Sequence, residues 1–135
     1  METHSDNCLL PIIGSAERGQ ALRWLVFLAT EIYPMVEIID YPERFSPQST
    51  GPESVRKTVK EIWRQRWLVV EQRVSGAFLL TGGFCVTDIY IAVLSRWAQQ
   101  ENWRPGNIPR VETLFQAVAS RPLCKEIWCR NFRDW

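Results

Sequence analysis

TGGFCVTDIYIAVLSRW, residues 81–97, runs from a glycine pair past one aspartate, Asp88, into a nearly unbroken apolar segment ending on Arg96 and Trp97. A carboxylate at the mouth of so apolar a run has three physical readings. It is a catalytic acid whose pKa burial has raised, a charge inside a membrane, or a group that completes a helix start. The membrane reading fails on length, because the longest apolar runs, IYIAVL and WLVFLA, fall well short of the roughly 20 residues a spanning helix needs. The catalytic reading lacks a second carboxylate at a telling spacing. What remains is structural: an acid three residues into a helix reaches back to the N-cap backbone N–H and satisfies a donor the helix cannot. Asp88 stands at that place if Cys85 is the N-cap. The helix that follows, over 87–98, is apolar nearly all round, the pattern of a helix in the middle of a bundle.

Working outward, the neighbouring segments also read as helices. Ser15 is placed to cap a helix with Glu17 in its first turn, and Leu22, Leu25, Leu28, Ala29, Ile32 and Val36 then recur at helical spacing. Trp24 and Phe27 widen that apolar sector, and Pro34 is expected to bend the helix by removing a hydrogen bond. The loop YPERFSPQSTGP stops the pattern. Pro52 suits the first turn of a second helix, whose stripe of Val55, Val59, Ile62, Trp63, Val70 and Val74 runs beside a basic one of Arg56, Lys57, Lys60, Arg64 and Arg66. Glu53 and Glu61 interleave with those cations, so the basic stripe reads as a solvated face rather than a phosphate-binding one. SGAFLLTGGF is a tight loop, and NWRPGNIP ends the central helix. Val111, Leu114, Phe115 and Val118 mark a further helix, closed by RP at 121–122. Ile127, Trp128 and Phe132 give the tail a short last one. No stretch alternates with period two for long and no repeat is visible, so the fold class is all-α, a bundle of about five helices around the buried central one.

The chain of 135 residues fits one domain with a real core. Sixteen basic against fifteen acidic side chains give no electrostatic reason to seek nucleic acid. The polar METHSDN start lacks the basic and apolar regions of a signal peptide, and a cytoplasmic location is expected. Cysteines stand at 8, 85, 124 and 129, with no CxxC pair and only His4 as an imidazole, so no metal site is expected. Cys124 and Cys129 would lie about 500° apart on a helix, on different faces.

Several of these segments carry a resemblance. GGFCVTDIYIAVLSRW resembles the N-capping box and hydrophobic staple that open the buried central helix in the C-terminal domain of the glutathione S-transferase family, where Phe is followed by Ser or Thr, two residues, then Asp. Phe84 and Asp88 match; Cys85 stands where the hydroxyl belongs. LLP before the first helix, LRWLVFLATEIYP within it, FLLTGGF before the central helix and VASRP at the end of the fourth follow the family's order over residues 9–122, most like bacterial, beta-class members. The resemblance implies a linker remnant over 1–14 and the helical domain over 15–135.

It also implies what to look for elsewhere. Family members carry a thioredoxin-like domain ahead of LLP, with the glutathione cradle and the activating Tyr, Ser or Cys, whereas Met1 lies only eight residues before Leu9. On this reading the chain holds no catalytic residue and binds no cofactor by itself, with glutathione entering only if the thioredoxin-like half is supplied. Tyr33 falls where beta-class members have a His aimed at the glutathione sulfur, and Tyr33 and Trp24 are the candidates for lining a substrate site. Trp63, Trp67, Trp97, Trp103 and Trp128 are core aromatics or further pocket walls. The expected role is to wall an apolar substrate site and mediate domain or subunit contacts. The alternatives are a piece of a complete transferase that conjugates or reduces electrophiles, and a protein–protein assembly module. Expected partners are a thioredoxin-like domain or another subunit, an apolar small molecule, and a second copy in a homodimer; neither nucleic acid nor membrane is among them.

Overall fold

The computed structural model describes residues 9–47, 49, 51–98 and 102–131; His4, Cys8 and Phe132 lie outside them. Among the described residues every regular element is helical. Helix α1 (Ala16–Phe27) starts as its sequence demands, with the Ser15 hydroxyl accepting from the Arg18 N–H at 3.1 Å. It passes without a break through a widened turn, Leu28–Ile32, into α2 (Tyr33–Asp40). In that turn the Tyr33 N–H reaches Leu28 O, five residues back. The proline effect therefore takes the form of a π-type turn directly before Pro34: a residue without an N–H leaves a carbonyl unmatched, and an extra residue in the turn absorbs the mismatch. Ala21, Trp24, Leu28, Ile32, Val36 and Ile39 face the core, whereas Leu22 is exposed.

Helix α3 (Pro52–Arg73) packs along α2 and carries Trp63 and Trp67, whose rings meet edge to face at 5.6 Å with no exposure. An ion pair between Arg66 and Glu31, 2.8 Å, ties α3 to the widened turn. The basic stripe divides. Lys57 is exposed, Arg66 is held by Glu31, and Arg56, Lys60 and Arg64 are half-buried, so the stripe is not simply a solvated face. Arg56 donates to Ile39 O at 2.8 Å and thereby fastens α3 to the end of α2.

Helix α4 (Val86–Leu94) is shorter than the 87–98 read from the sequence. Its last turn tightens, with Arg96 N–H on Val93 O and Trp97 N–H on Leu94 O, both 3.1 Å. Ser95 caps Ala92 O with its hydroxyl at 2.9 Å, and Ala98 turns left-handed at φ 63°. The helix ends because Arg96 turns inward to pair with Glu112 and to cover the Phe115 ring. Arg104, also buried, pairs with the same Glu112 at 3.2 Å from α5 (Arg104–Asn107), a single turn inside the segment read as loop. Helix α6 (Pro109–Ala119) buries Val111, Leu114, Phe115 and Val118 against α4, as their spacing requires. Helix α7 (Pro122–Asn131) closes the chain; Trp128 packs on Phe115, 5.3 Å between centroids, but Ile127 points to solvent. One apolar residue of the pair is enough for a helix that meets the body on a single edge. Cys85, Cys124 and Cys129 are free thiols.

Candidate functional site

Asp88 is fully buried at the start of α4, and both carboxylate oxygens are used. Oδ2 accepts the Cys85 N–H at 2.8 Å, and Oδ1 accepts the Leu79 N–H at 2.8 Å. The second bond was not foreseen from the sequence; it pins the loop that precedes the helix to the helix's own first turn. Cys85 occupies the N-cap with extended backbone, its side chain facing the Asp88 N–H without making a true cap hydrogen bond, as a thiol's weak acceptance dictates. Burial raises the Asp88 carboxyl above its ordinary range, against the pull of the two N–H donors, and burial likewise pushes the Cys85 thiol up. No substrate reaches a carboxylate with no exposure. Beside it, Val86 N–H bonds to Leu9 O at 2.7 Å and Arg18 to Pro11 O at 2.9 Å, so the LLP segment is fastened to both helix starts.

The central helix is not covered all round. Val86, Ile89, Tyr90, Val93 and Trp97, spaced 0, 3, 4, 7 and 11 along the chain, are all half-buried, while Thr87, Asp88, Ile91, Ala92 and Leu94 are buried. One apolar stripe of α4 therefore reaches the surface. Tyr33 joins it from the start of α2: its ring lies 5.5 Å from that of Trp97, and it is 48% exposed. Tyr90 is close enough for Tyr33 to be felt electrostatically. Burial, and after it Tyr33, raises the Tyr90 phenol above its usual pKa. The result is an aromatic face with two hydroxyls and an indole, amphipathic groups that offer both a flat apolar wall and polar tips.

Of the two residues expected to line a ligand site, Tyr33 is on this face and Trp24 is not. Trp24 is 5% exposed, packed edge to face on Phe27 at 5.3 Å, with Arg23 above its ring. Trp63, Trp67 and Trp128 are core residues, and Trp97 and Trp103 are half-buried. The residue that sequence reasoning passed over is Tyr90. Its signal was available in the pairing of Tyr90 with Trp97 one heptad on, two side chains with polar tips on one side of an otherwise aliphatic helix.

No protein-family model matches the chain. Over 129 residues, 91% of its length, it is 31% identical to the uncharacterized GST-like protein YncG of Escherichia coli K12. Over 118 residues it is 24% identical to the glutathione S-transferase GstA of Escherichia coli O157:H7. It spans 60% and 55% of the length of these relatives. Among solved structures, the bacterial glutathione transferase BphK in its ternary complex superposes on 87% of the chain with a TM-score of 0.71 at 24% identity; 56% of that protein is matched. A glutathione transferase from Burkholderia graminis, with two glutathione molecules bound per subunit, matches 93% of the chain with a TM-score of 0.71 at 21% identity, and 54% of that protein is covered. Sequence likeness to the relatives and an all-helical fold shared with the solved structures agree: the chain is similar to glutathione S-transferases over about half their length and has the all-helical fold of their C-terminal domain.

Proposed function

We propose that this chain is the helical half of a glutathione transferase-like protein, walling an apolar substrate site and making domain or subunit contacts. The observation that carries this reading is the half-buried stripe that runs from Val86 on α4 to Trp97 just beyond its end, joined by Tyr33. An apolar helix face that a domain does not cover itself favours a second surface laid over it. On this reading a thioredoxin-like domain or another subunit covers the stripe, and the space left beside Tyr33, Tyr90 and Trp97 admits an apolar electrophile. Leu22 and Val26 on α1, with Ile62 and Val69 on α3, are exposed apolar side chains on another part of the bundle and are the natural contacts for a homodimer. The setting is a cytoplasmic detoxification enzyme, and among the described residues no helix is long and apolar enough to cross a membrane.

Catalysis of thiol transfer needs a glutathione thiolate held at fixed distance from the electrophile. The helical half contributes the apolar wall, and its two tyrosines orient polar atoms of the substrate. The chain of 135 residues alone is therefore expected to conjugate glutathione to a generic aromatic electrophile no faster than the uncatalysed reaction. Turnover above background that Tyr33→Phe abolishes would make Tyr33 the activating group and overturn the division of labour proposed here.

A further inference from the structure

The basic stripe of α3, which the transferase reading does not use, borders a cleft. Ile39, Asp40 and Tyr41 at the end of α2, Arg56 and Lys60 on α3, and Ala98 beyond α4 enclose about 480 Å³ with a mainly polar lining. Arg56 and Lys60 are one helical turn apart and both half-buried, whereas Lys57, on the outer side of the same turn, is exposed. Arg56 is held at two atoms: its Nε donates to Ile39 O at 2.8 Å and its Nη1 pairs with Glu53, leaving Nη2 without a hydrogen bond among the described residues. Lys60 has neither an ion pair nor a hydrogen bond among the described residues, although it lies against the cleft. Ala98 also lines the cleft, in a left-handed conformation, φ 63°, that a residue with a Cβ rarely adopts; such backbone persists where the surroundings fix it and concentrates at binding sites.

We propose that this cleft is a binding site for a small oxyanion, a carboxylate or phosphate group whose charge is taken by Lys60 and Arg56. A half-buried lysine without a partner among the described residues gains most from an anion that enters its own cleft, where screening by water is weaker than on the open surface. Asp40 also lines the cleft and opposes a bare anion. The ligand that fits both signs therefore carries a hydroxyl or ammonium group beside its oxyanion, so that Asp40 accepts a hydrogen bond while Lys60 and Arg56 hold the charge. Tyr41 is a further lining residue. The site shares no residue with the α4 stripe.

The test is titration of the full 135-residue chain with inorganic phosphate and, separately, with glycolate, followed by backbone amide shifts of residues 39–41, 56, 60 and 98. Saturable shifts confined to these residues are expected with at least one probe, and the probe that binds more tightly tells phosphate from hydroxy-carboxylate. Lys60→Gln should weaken that binding by about tenfold or more, the worth of one charge-assisted hydrogen bond. Lys60→Arg should restore it, and Lys57→Gln should leave it within about twofold, as for a surface charge. Absence of saturable shifts with both probes would overturn the proposal. So would equal losses in Lys57→Gln and Lys60→Gln, since that pattern marks screening of a basic surface rather than a site.

Discussion

At the scale of single residues, Asp88 has the largest consequence. Its carboxylate satisfies two buried backbone donors, at Cys85 and Leu79, so truncation leaves both without partners. Each costs about 1–3 kcal/mol, partly offset by releasing a desolvated charge. Asp88→Ala is therefore expected to lower stability by about 2–4 kcal/mol in equilibrium denaturation, more than an exposed cap would. The pH dependence has a definite sign. Burial holds the folded carboxyl above its ordinary value of 3.8, so between those two values the folded state binds more protons than the unfolded one. The stability linked to protonation of Asp88 is present in full below 3.8 and is lost as pH rises through the raised folded value. The stability difference between wild type and Asp88→Asn, measured from pH 3 to 8 by urea titration, should shift against the wild type as pH rises across that interval. A difference flat with pH would show that the group titrates alike in both states. Cys85→Ser supplies the stronger acceptor that the cap lacks, and a gain of about 0.5–1 kcal/mol is expected.

Among elements, α6 shows how a helix start is completed from a distance. Its own N-cap, Ile108, has no side chain for the task. Glu71, thirty-nine and forty residues earlier on α3, accepts from the N–H groups of Arg110 at 3.0 Å and Val111 at 2.9 Å. A carboxylate at a helix N-terminus meets both free donors and the positive end of the dipole. Because Glu71 is only 13% exposed there, Glu71→Ala should cost about 1.5–3 kcal/mol, while Glu71→Gln, which keeps one acceptor, should cost less. Thermal denaturation of the pair checks the order; equal losses would assign the effect to packing. The same logic explains the short α4. Glu112 on α6 draws in Arg96 and Arg104 together, and α4 ends at Leu94, two residues before Arg96.

For the whole molecule, the decisive feature is the incomplete cover of α4. Half-buried Ile89, Tyr90, Val93 and Trp97, with exposed Tyr33 beside them, form one continuous apolar face. Large side chains gain roughly 1.5–3 kcal/mol each between full exposure and full burial, so each half-buried one has part of that still to gain. The isolated chain is therefore expected to bind an apolar fluorescent dye, with quenching of Trp97, and Tyr90→Glu should abolish that binding while leaving helix content intact. Sedimentation over a range of concentrations should show association that the same substitution reduces. A monomeric chain that binds no dye would mean the face is self-sufficient.

Much of this protein is determined by its sequence alone. The all-helical class, the cap at Ser15, the start of α4 at Cys85 and Asp88, and the core positions Leu28, Ile32, Trp63, Val111 and Leu114 follow from local rules, because helical periodicity and terminal hydrogen bonding are properties of adjacent residues. Tertiary structure decided the rest: that Leu79 shares Asp88, that Glu71 caps α6, that Trp24 is core while Tyr33 meets Trp97, and that Lys60 lines a cleft while Lys57 faces water. The reason is one of range. An apolar stripe announces that a helix is buried, but which side is covered depends on the helices that arrive from elsewhere in the chain, and neither hydrogen-bond partners nor uncovered faces are encoded in the spacing of a single segment.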